Sequence, residues 1–88
     1  MSNIYMTWTQ LKTKKNAEGK TLYYHQNEWN WQIYVLDGPD VYIHYIPRPD
    51  KFSEMVIDSA NQTQAQADYD DFNTNYKANA IETEGVAD

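Results

Sequence analysis

The chain has no cysteine, which excludes a disulfide framework, a thiolate metal site and a cysteine nucleophile. Glycine occurs only three times in 88 residues, with no cluster that would cradle a phosphate. No apolar run approaches the roughly 20 residues a membrane helix needs, and Met1–Gln10 lacks the basic-then-apolar layout of a secretion signal. Basic side chains are scarce too: seven Lys and Arg stand against thirteen Asp and Glu, for a net charge of −6. Phosphate backbones are recognised by clustered Lys and Arg, so neither nucleic acid nor a membrane is an expected partner. At this length the chain is one small domain.

What the chain has in excess is aromatic rings, 15% of its residues: eight Tyr, three Trp and two Phe. Its charge is unevenly spread. Residues 1–49 hold five basic and four acidic side chains, whereas 50–88 hold two basic and nine acidic. A near-neutral aromatic body therefore precedes an acidic final third. A domain this small buries only about 60% of its unfolded surface, so many tyrosines are expected at the surface or against another chain.

Alternation of period two runs through much of residues 4–57. Ile4, Met6 and Trp8 alternate with Tyr5, Thr7 and Thr9 as far as Leu11; Thr21–His25, Trp29–Leu36 and Val41–Ile46 repeat the pattern, and Phe52–Ile57 reads as a further strand. Lys12–Lys20 is a polar break. Asp37-Gly38-Pro39-Asp40 marks a tight turn, and Pro47-Arg48-Pro49 ends a strand. Ser59–Lys77 lacks both Pro and Gly and sets Ala65, Tyr69, Phe72 and Tyr76 on one helical face, with Ser59, Asn61 or Thr63 as its N-cap. Asp68, Asp70 and Asp71 are expected to face solvent. The expected fold is mainly β: a small antiparallel sheet, barrel or sandwich of about five strands, with one C-terminal amphipathic helix. Residues 1–77 form the compact domain and 78–88 an extended or flexible tail.

Several constellations resemble chemical sites and fall short of them. From Asp71, oxygen side chains fall at positions one, three and five (Asp71, Asn73, Asn75), and Glu82 at twelve, as in a calcium loop. Tyr76 stands where that loop needs glycine, and Ala78 where it needs a larger apolar residue, so these side chains read better as the polar face and end of a helix. His25 and His44 lack a third ligand at regular spacing and read as ordinary strand histidines. Glu28, Asp37 or Asp40 paired with His44 would make an acid–base couple, but no nucleophile or oxyanion motif accompanies it. Neither a catalytic residue, nor a cofactor, nor a metal is expected.

Tyr23, Tyr24, Trp29, Trp31, Tyr34, Tyr42 and Tyr45 fall within 23 residues on three expected strands. Core packing accounts for some of them and contact with another protein for others, since Tyr and Trp are enriched at interfaces. Trp29, Trp31, Tyr34 and Tyr42 are the expected protein-contact residues. Ala65, Tyr69, Phe72 and Tyr76 are expected to pack the helix on the sheet. Two other readings are a flat aromatic platform for a glycan and an acidic inhibitor that mimics DNA and blocks a host enzyme.

The segment Asp71-Phe72-Asn73-Thr74-Asn75-Tyr76-Lys77, preceded by Val56-Ile57-Asp58 and a Gln/Ala-rich stretch, resembles the C-terminal part of small structural proteins of tailed bacteriophages. In those, a V-I-D strand leads through a polar link to an Asp-Phe-x-x-Asn-Tyr-Lys stretch. The resemblance covers residues 56–77 and implies a non-enzymatic virion component, either a head-decoration, head-fibre or tail-associated subunit. Its implied partners are copies of itself, as a homo-oligomer, and a larger capsid or tail protein. Its implied location is the virion, after synthesis in the bacterial cytoplasm.

Overall fold

The computed structural model describes residues 2–55 and 57–84. In chain order these form β1 (Ser2–Tyr5), α1 (Trp8–Glu18), β2 (Tyr23–Gln26), β3 (Asn30–Asp37), β4 (Asp40–Pro47), α2 (Phe52–Met55), α3 (Ser59–Asn75) and β5 (Ile81–Glu82). Short 3-10 turns at Pro49–Lys51 and Lys77–Asn79 flank the second and third helices. The five strands make one sheet in the order β1-β4-β3-β2-β5. The β2–β3 and β3–β4 pairs are antiparallel; β1 on β4 and β5 on β2 are parallel. The sheet is thus mixed and open at both edges, not an antiparallel barrel or sandwich. Three helices accompany it instead of one, and the mainly-β expectation gives way to a helix-rich α+β fold.

Local chemistry explains where the expectation failed. The alternation of Ile4–Leu11 holds only through β1. Thr7 then caps a helix: its hydroxyl accepts from the Gln10 backbone N–H at 3.2 Å, and the Gln10 side chain accepts from the Thr7 N–H at 3.0 Å. This reciprocal capping box starts α1, and Gly19, at φ 65°, ends it. The polar break Lys12–Lys20 is therefore mostly helix. Phe52–Ile57 is not a strand either, because Pro49 presets the first turn of a helical segment running through Met55. Val56 lies outside the described residues. Ile57 and Asp58 form no strand, and Asp58 itself caps α3, accepting from the Asn61 N–H at 2.9 Å. The cap thus falls one residue before the earliest candidate.

The hairpin between β3 and β4 follows its turn sequence. Asp37 pairs with Asp40 across the two-residue loop Gly38-Pro39, and Gly38 sits at φ 60° as such a loop requires. That loop fixes the register, and the register sorts the strand residues by face. Tyr24, Trp31, Ile33, Val35, Tyr42, His44 and Ile46 lie on the face that receives α1 and α3. Tyr23, Tyr34, Leu36, Val41, Ile43 and Tyr45 lie on the other.

Phe72 is the centre of the helix-side core. Its fully buried ring meets Trp8 (5.5 Å between centroids), Tyr24 (5.6 Å) and Trp31 (5.2 Å), all edge-on. Tyr69 stacks on Trp31 at 4.3 Å, Tyr76 meets Trp8 edge-on at 5.2 Å, and Ala65 is buried a turn earlier. Both buried indoles satisfy their N–H groups, Trp8 with Asp71 Oδ2 and Trp31 with Gln26 Oε1, each at 2.8 Å. Asp71 does not face solvent as expected. It also holds Lys12 of α1 at 2.8 Å. Burial pushes its carboxyl up, but hydrogen bonds from Lys12, Asn75 and Trp8 outweigh that and hold it below the usual carboxylate range.

Residues 78–84, read above as a tail, fold onto the sheet edge. Ile81 N–H donates to Leu22 C=O, Thr83 N–H donates to Tyr24 C=O, and Ala80 packs against the core. Residues 85–88 lie outside the described residues.

Two substitutions test this packing. Phe72→Ala leaves a cavity under three rings and should cost about 3–5 kcal/mol by urea denaturation. An unchanged midpoint would show that the ring is not buried. Asp71→Ala leaves the Trp8 N–H without its acceptor and should cost about 1–3 kcal/mol, measured the same way at pH 7. Restoring the loss by lowering the pH to 5 would contradict the assigned role.

Candidate functional site

The four expected contact residues do not share a surface. Trp31 is buried beneath α3, and Tyr42 lies half-buried on the same face, under Lys14 Nζ at 4.7 Å from its ring centroid. Tyr34 points to the opposite face and is itself buried. Trp29 precedes β3 and is 40% exposed beneath Lys51 Nζ. A planar stack of these rings, such as a glycan platform needs, is not formed. The helix-side residues Ala65, Tyr69, Phe72 and Tyr76 do come together, around Trp8 and Trp31.

Two other features emerge. The first is the sheet face away from the helices. Its central cluster, Tyr34, Val41 and Ile43 with Tyr23 beside it, consists of strand residues alone. Tyr23 and Tyr34 stack at 6.0 Å, and the Tyr34 hydroxyl hydrogen-bonds the Thr83 hydroxyl. Around this centre lie Leu36 (45% exposed), Tyr45 (38%) and Ile81 (47%), three of the four large apolar side chains that are exposed among the described residues. By register, the other described members of the face in β2–β4 are His25, Asn30, Gln32 and Pro47. By register no Lys, Arg, Asp or Glu of β2–β4 belongs to this face; Asp37 and Asp40 at the hairpin fall in phase with Val35 and Tyr42 on the helical side.

The second feature is a cavity of about 410 Å³ on the helical side, lined by Thr7, Trp8, Thr9, His44, Gln64 and Asp68. The alternation of β4 aims His44 toward it, and the start of α1 and the middle of α3 form its walls. The Trp8 ring stacks over His44 at 6.3 Å. His44 Nδ1 lies 3.1 Å from the Met6 carbonyl oxygen, which can only accept, so this nitrogen carries the proton. Nε2 is buried, has no hydrogen-bond partner, and faces Asp68 Oδ2 at 3.6 Å. Burial pulls the His44 pKa below its ordinary value; the Asp68 carboxylate and the Met6 carbonyl oppose this without reversing it.

Asp68, expected in solvent, is thus turned inward. His44 was weighed against Glu28, Asp37 and Asp40, and none of them reaches it. Asp37 and Asp40 sit at the hairpin, Asp40 four residues or about 13 Å along the strand, and Glu28 sits in the turn at the opposite end. The missed partner was visible in the spacing of Ala65, Asp68 and Phe72, at i, i+3 and i+7 on one helical face. His25 and His44 do not meet: β3 lies between their strands, and the register sends them to opposite faces. Asp71, Asn73 and Asn75 lie along the end of α3, and Glu82 lies in β5. No group of three His, Asp or Glu poised to hold a metal occurs among the described residues.

The His44 environment has a consequence for stability. The folded state resists protonation, so it binds fewer protons than the unfolded chain below the ordinary histidine value of 6.5. Its contribution is complete above that pH and is lost as pH falls through the lowered value. Urea midpoints should therefore decline from pH 7.5 to 5, and His44→Gln should flatten that decline. An equal slope in both proteins would remove His44 as its source.

Comparison with models of protein families, with curated proteins and with solved structures finds no match.

Proposed function

We propose that the chain is a non-enzymatic structural subunit that works by packing its helix-free sheet face against another copy of itself. The observation that carries this is the chemistry of the face: Leu36, Tyr45 and Ile81 are exposed on a surface of uncharged strand residues, in a protein of net charge −6. Charged surface keeps such proteins apart, and an uncharged face is where two like-charged copies approach with least repulsion. Sheets pack face to face at about 10 Å, with side chains from each filling the gap.

Area sets the strength of the contact. Each strand residue covers about 16 Å² of sheet (3.3 Å rise by 4.8 Å spacing), so the 26 strand residues cap the contact at roughly 400 Å² per copy, and the burial of Tyr34, Val41 and Ile43 within the chain lowers that further. A pair therefore buries at most about 800 Å², below the 1,200–2,000 Å² of a stable complex. The contact is therefore weak in a free pair and becomes firm where many copies are held together. This suits a repeated component of a particle. The resemblance of residues 56–77 to small structural proteins of tailed bacteriophages supports placing that particle as a virion, with a larger capsid or tail protein as second partner. A DNA mimic would need carboxylates displayed outward, and α3 turns Asp68 and Asp71 toward His44 and Lys12.

Sedimentation equilibrium at rising concentration should reveal a dimer with a Kd of about 10 µM to 1 mM. Leu36→Glu combined with Ile81→Glu places four carboxylates in the contact and should leave a folded monomer with an unchanged CD spectrum. A wild-type monomer throughout that range would reject the face as a self-contact. Mass spectrometry of density-purified, salt-washed particles tests the virion setting, and absence of the chain from them would reject it.

A further inference from the structure

We propose that the β1 edge of the sheet pairs antiparallel with β1 of a second copy and so joins two face-paired dimers into a tetramer. The inference rests on the face contact proposed above and adds to it a second contact made by other residues.

Register fixes which backbone groups this edge presents. β4 lies between β3 and β1, and successive residues turn their backbone groups to one neighbour and then the other. Arg48 N–H donates to Trp29 C=O on the β3 side, and Met6 N–H donates to Ile43 C=O on the β1 side, at 3.1 Å. Parallel pairing then turns the N–H and C=O of Ser2, Ile4 and Met6 toward β4, and those of Asn3 and Tyr5 outward. No described strand lies beyond β1 in the sheet order, and α1 and α3 rest over β3 and β4. Outward donors and acceptors on an uncovered margin are a template for one more strand.

Charge and area identify the occupant as a second copy. The opposite edge, β5, is two residues long and carries Glu82, with Glu84 close behind, so copies of a protein of net charge −6 repel one another there. Residues 2–5, Ser-Asn-Ile-Tyr, contain neither a charge nor a proline, the two common defences of an edge. A two-fold axis at Ile4 sets Asn3 of each copy opposite Tyr5 of the other, and each such pair exchanges both its N–H···O bonds. So short a ladder is weak alone. Its effect lies in what it joins: β1 adjoins β4, which carries Val41, Ile43 and Tyr45, so the open faces of the two copies become continuous. One face-paired dimer buries at most about 800 Å², and two joined along β1 bring the face contact up to about 1,600 Å², within the range of a stable complex. The edge two-fold is perpendicular to the sheet and keeps both open faces on one side, so with the face two-fold it closes a tetramer of D2 symmetry. The second edge pair then forms within an already joined particle, at high effective concentration.

Sedimentation velocity of the full chain at rising concentration, with backbone amide exchange followed by NMR, tests the pairing. The wild type should pass from monomer through dimer to tetramer, and the Asn3 and Tyr5 amides should gain at least about 10-fold protection across the second step. Asn3→Pro removes an outward N–H and spares the ladder to β4, so it should stop at the dimer. Its amide spectrum reports whether it remains folded. Leu36→Glu with Ile81→Glu should stop at the monomer, because the edge is too short to hold two copies by itself. A wild-type dimer that grows no further, with Asn3 and Tyr5 exchanging as fast as in the monomer, overturns the edge pairing, leaves the face contact standing and frees β1 for a strand of a different protein. A dimer that protects these amides and survives Leu36→Glu with Ile81→Glu overturns the face contact and the tetramer with it. A monomer at every concentration overturns both, and protection that does not change with concentration shows an edge covered within the chain and overturns the pairing.

Discussion

Everything on the helical side of the sheet is organised by one buried ring. Phe72 touches Trp8 of α1, Tyr24 of β2 and Trp31 of β3, so a single α3 side chain joins four elements distant in sequence. Large aromatic rings meeting edge-on give much contact for little conformational entropy, which an 88-residue chain with few aliphatic residues needs. Burying two indoles nevertheless brings two N–H groups out of water, and each needs an acceptor. Asp71 and Gln26 supply them. Asp71 is the immediate neighbour of Phe72, so one turn of α3 delivers both the apolar contact and the polar tie that orients Trp8.

That arrangement converts a property of the chain into a property of the fold. Along the sequence, charge divides into a near-neutral body and an acidic final third. In three dimensions Lys12 of α1 lies on Asp71 of α3, and Lys77 reaches over the Trp31 ring at 4.9 Å. Opposite charges are adjacent within one layer. Both long helices are committed to that layer, and the described side chains that meet Tyr34, Val41 and Ile43 on the other face come from the strands and from Thr83. An uncharged strand face and a helical layer tied by the Lys12–Asp71 pair are two sides of the same economy of elements.

The sequence showed its strands more clearly than its helices, and the reason is physical. In Trp29–Leu36 and Val41–Ile46 every second residue meets the same environment over several pairs, so the alternation is long enough to be unambiguous. Residues 4–11 alternate equally well but change element at Thr7. There the deciding information is the four-residue capping box Thr7-Trp8-Thr9-Gln10 with Gly19 as its stop, and the polar exterior of α1 hid its narrow buried stripe, Trp8 and Leu11. Phe52–Met55 was obscured because the β-type residues Phe52, Val56 and Ile57 bracket it after a Pro-Asp-Lys helix start. Of the sites, the packing face of α3 was legible from its spacing. The contact face was not, because aromatic count alone cannot say on which side of a strand a ring will lie. Asp68 was hidden by the expectation that carboxylates in an acidic helix face water.

The two faces of the sheet meet in a single strand. β4 directs Tyr42, His44 and Ile46 beneath the helices, and Val41, Ile43 and Tyr45 toward the open face. A slip of one residue would exchange the two sets, placing His44 on the contact face and leaving the cavity without its imidazole. The Gly38-Pro39 loop sets that register from one end, and the bond from Arg48 N–H to Trp29 C=O closes the other at 3.0 Å. The hairpin is therefore a constraint on function as much as on folding.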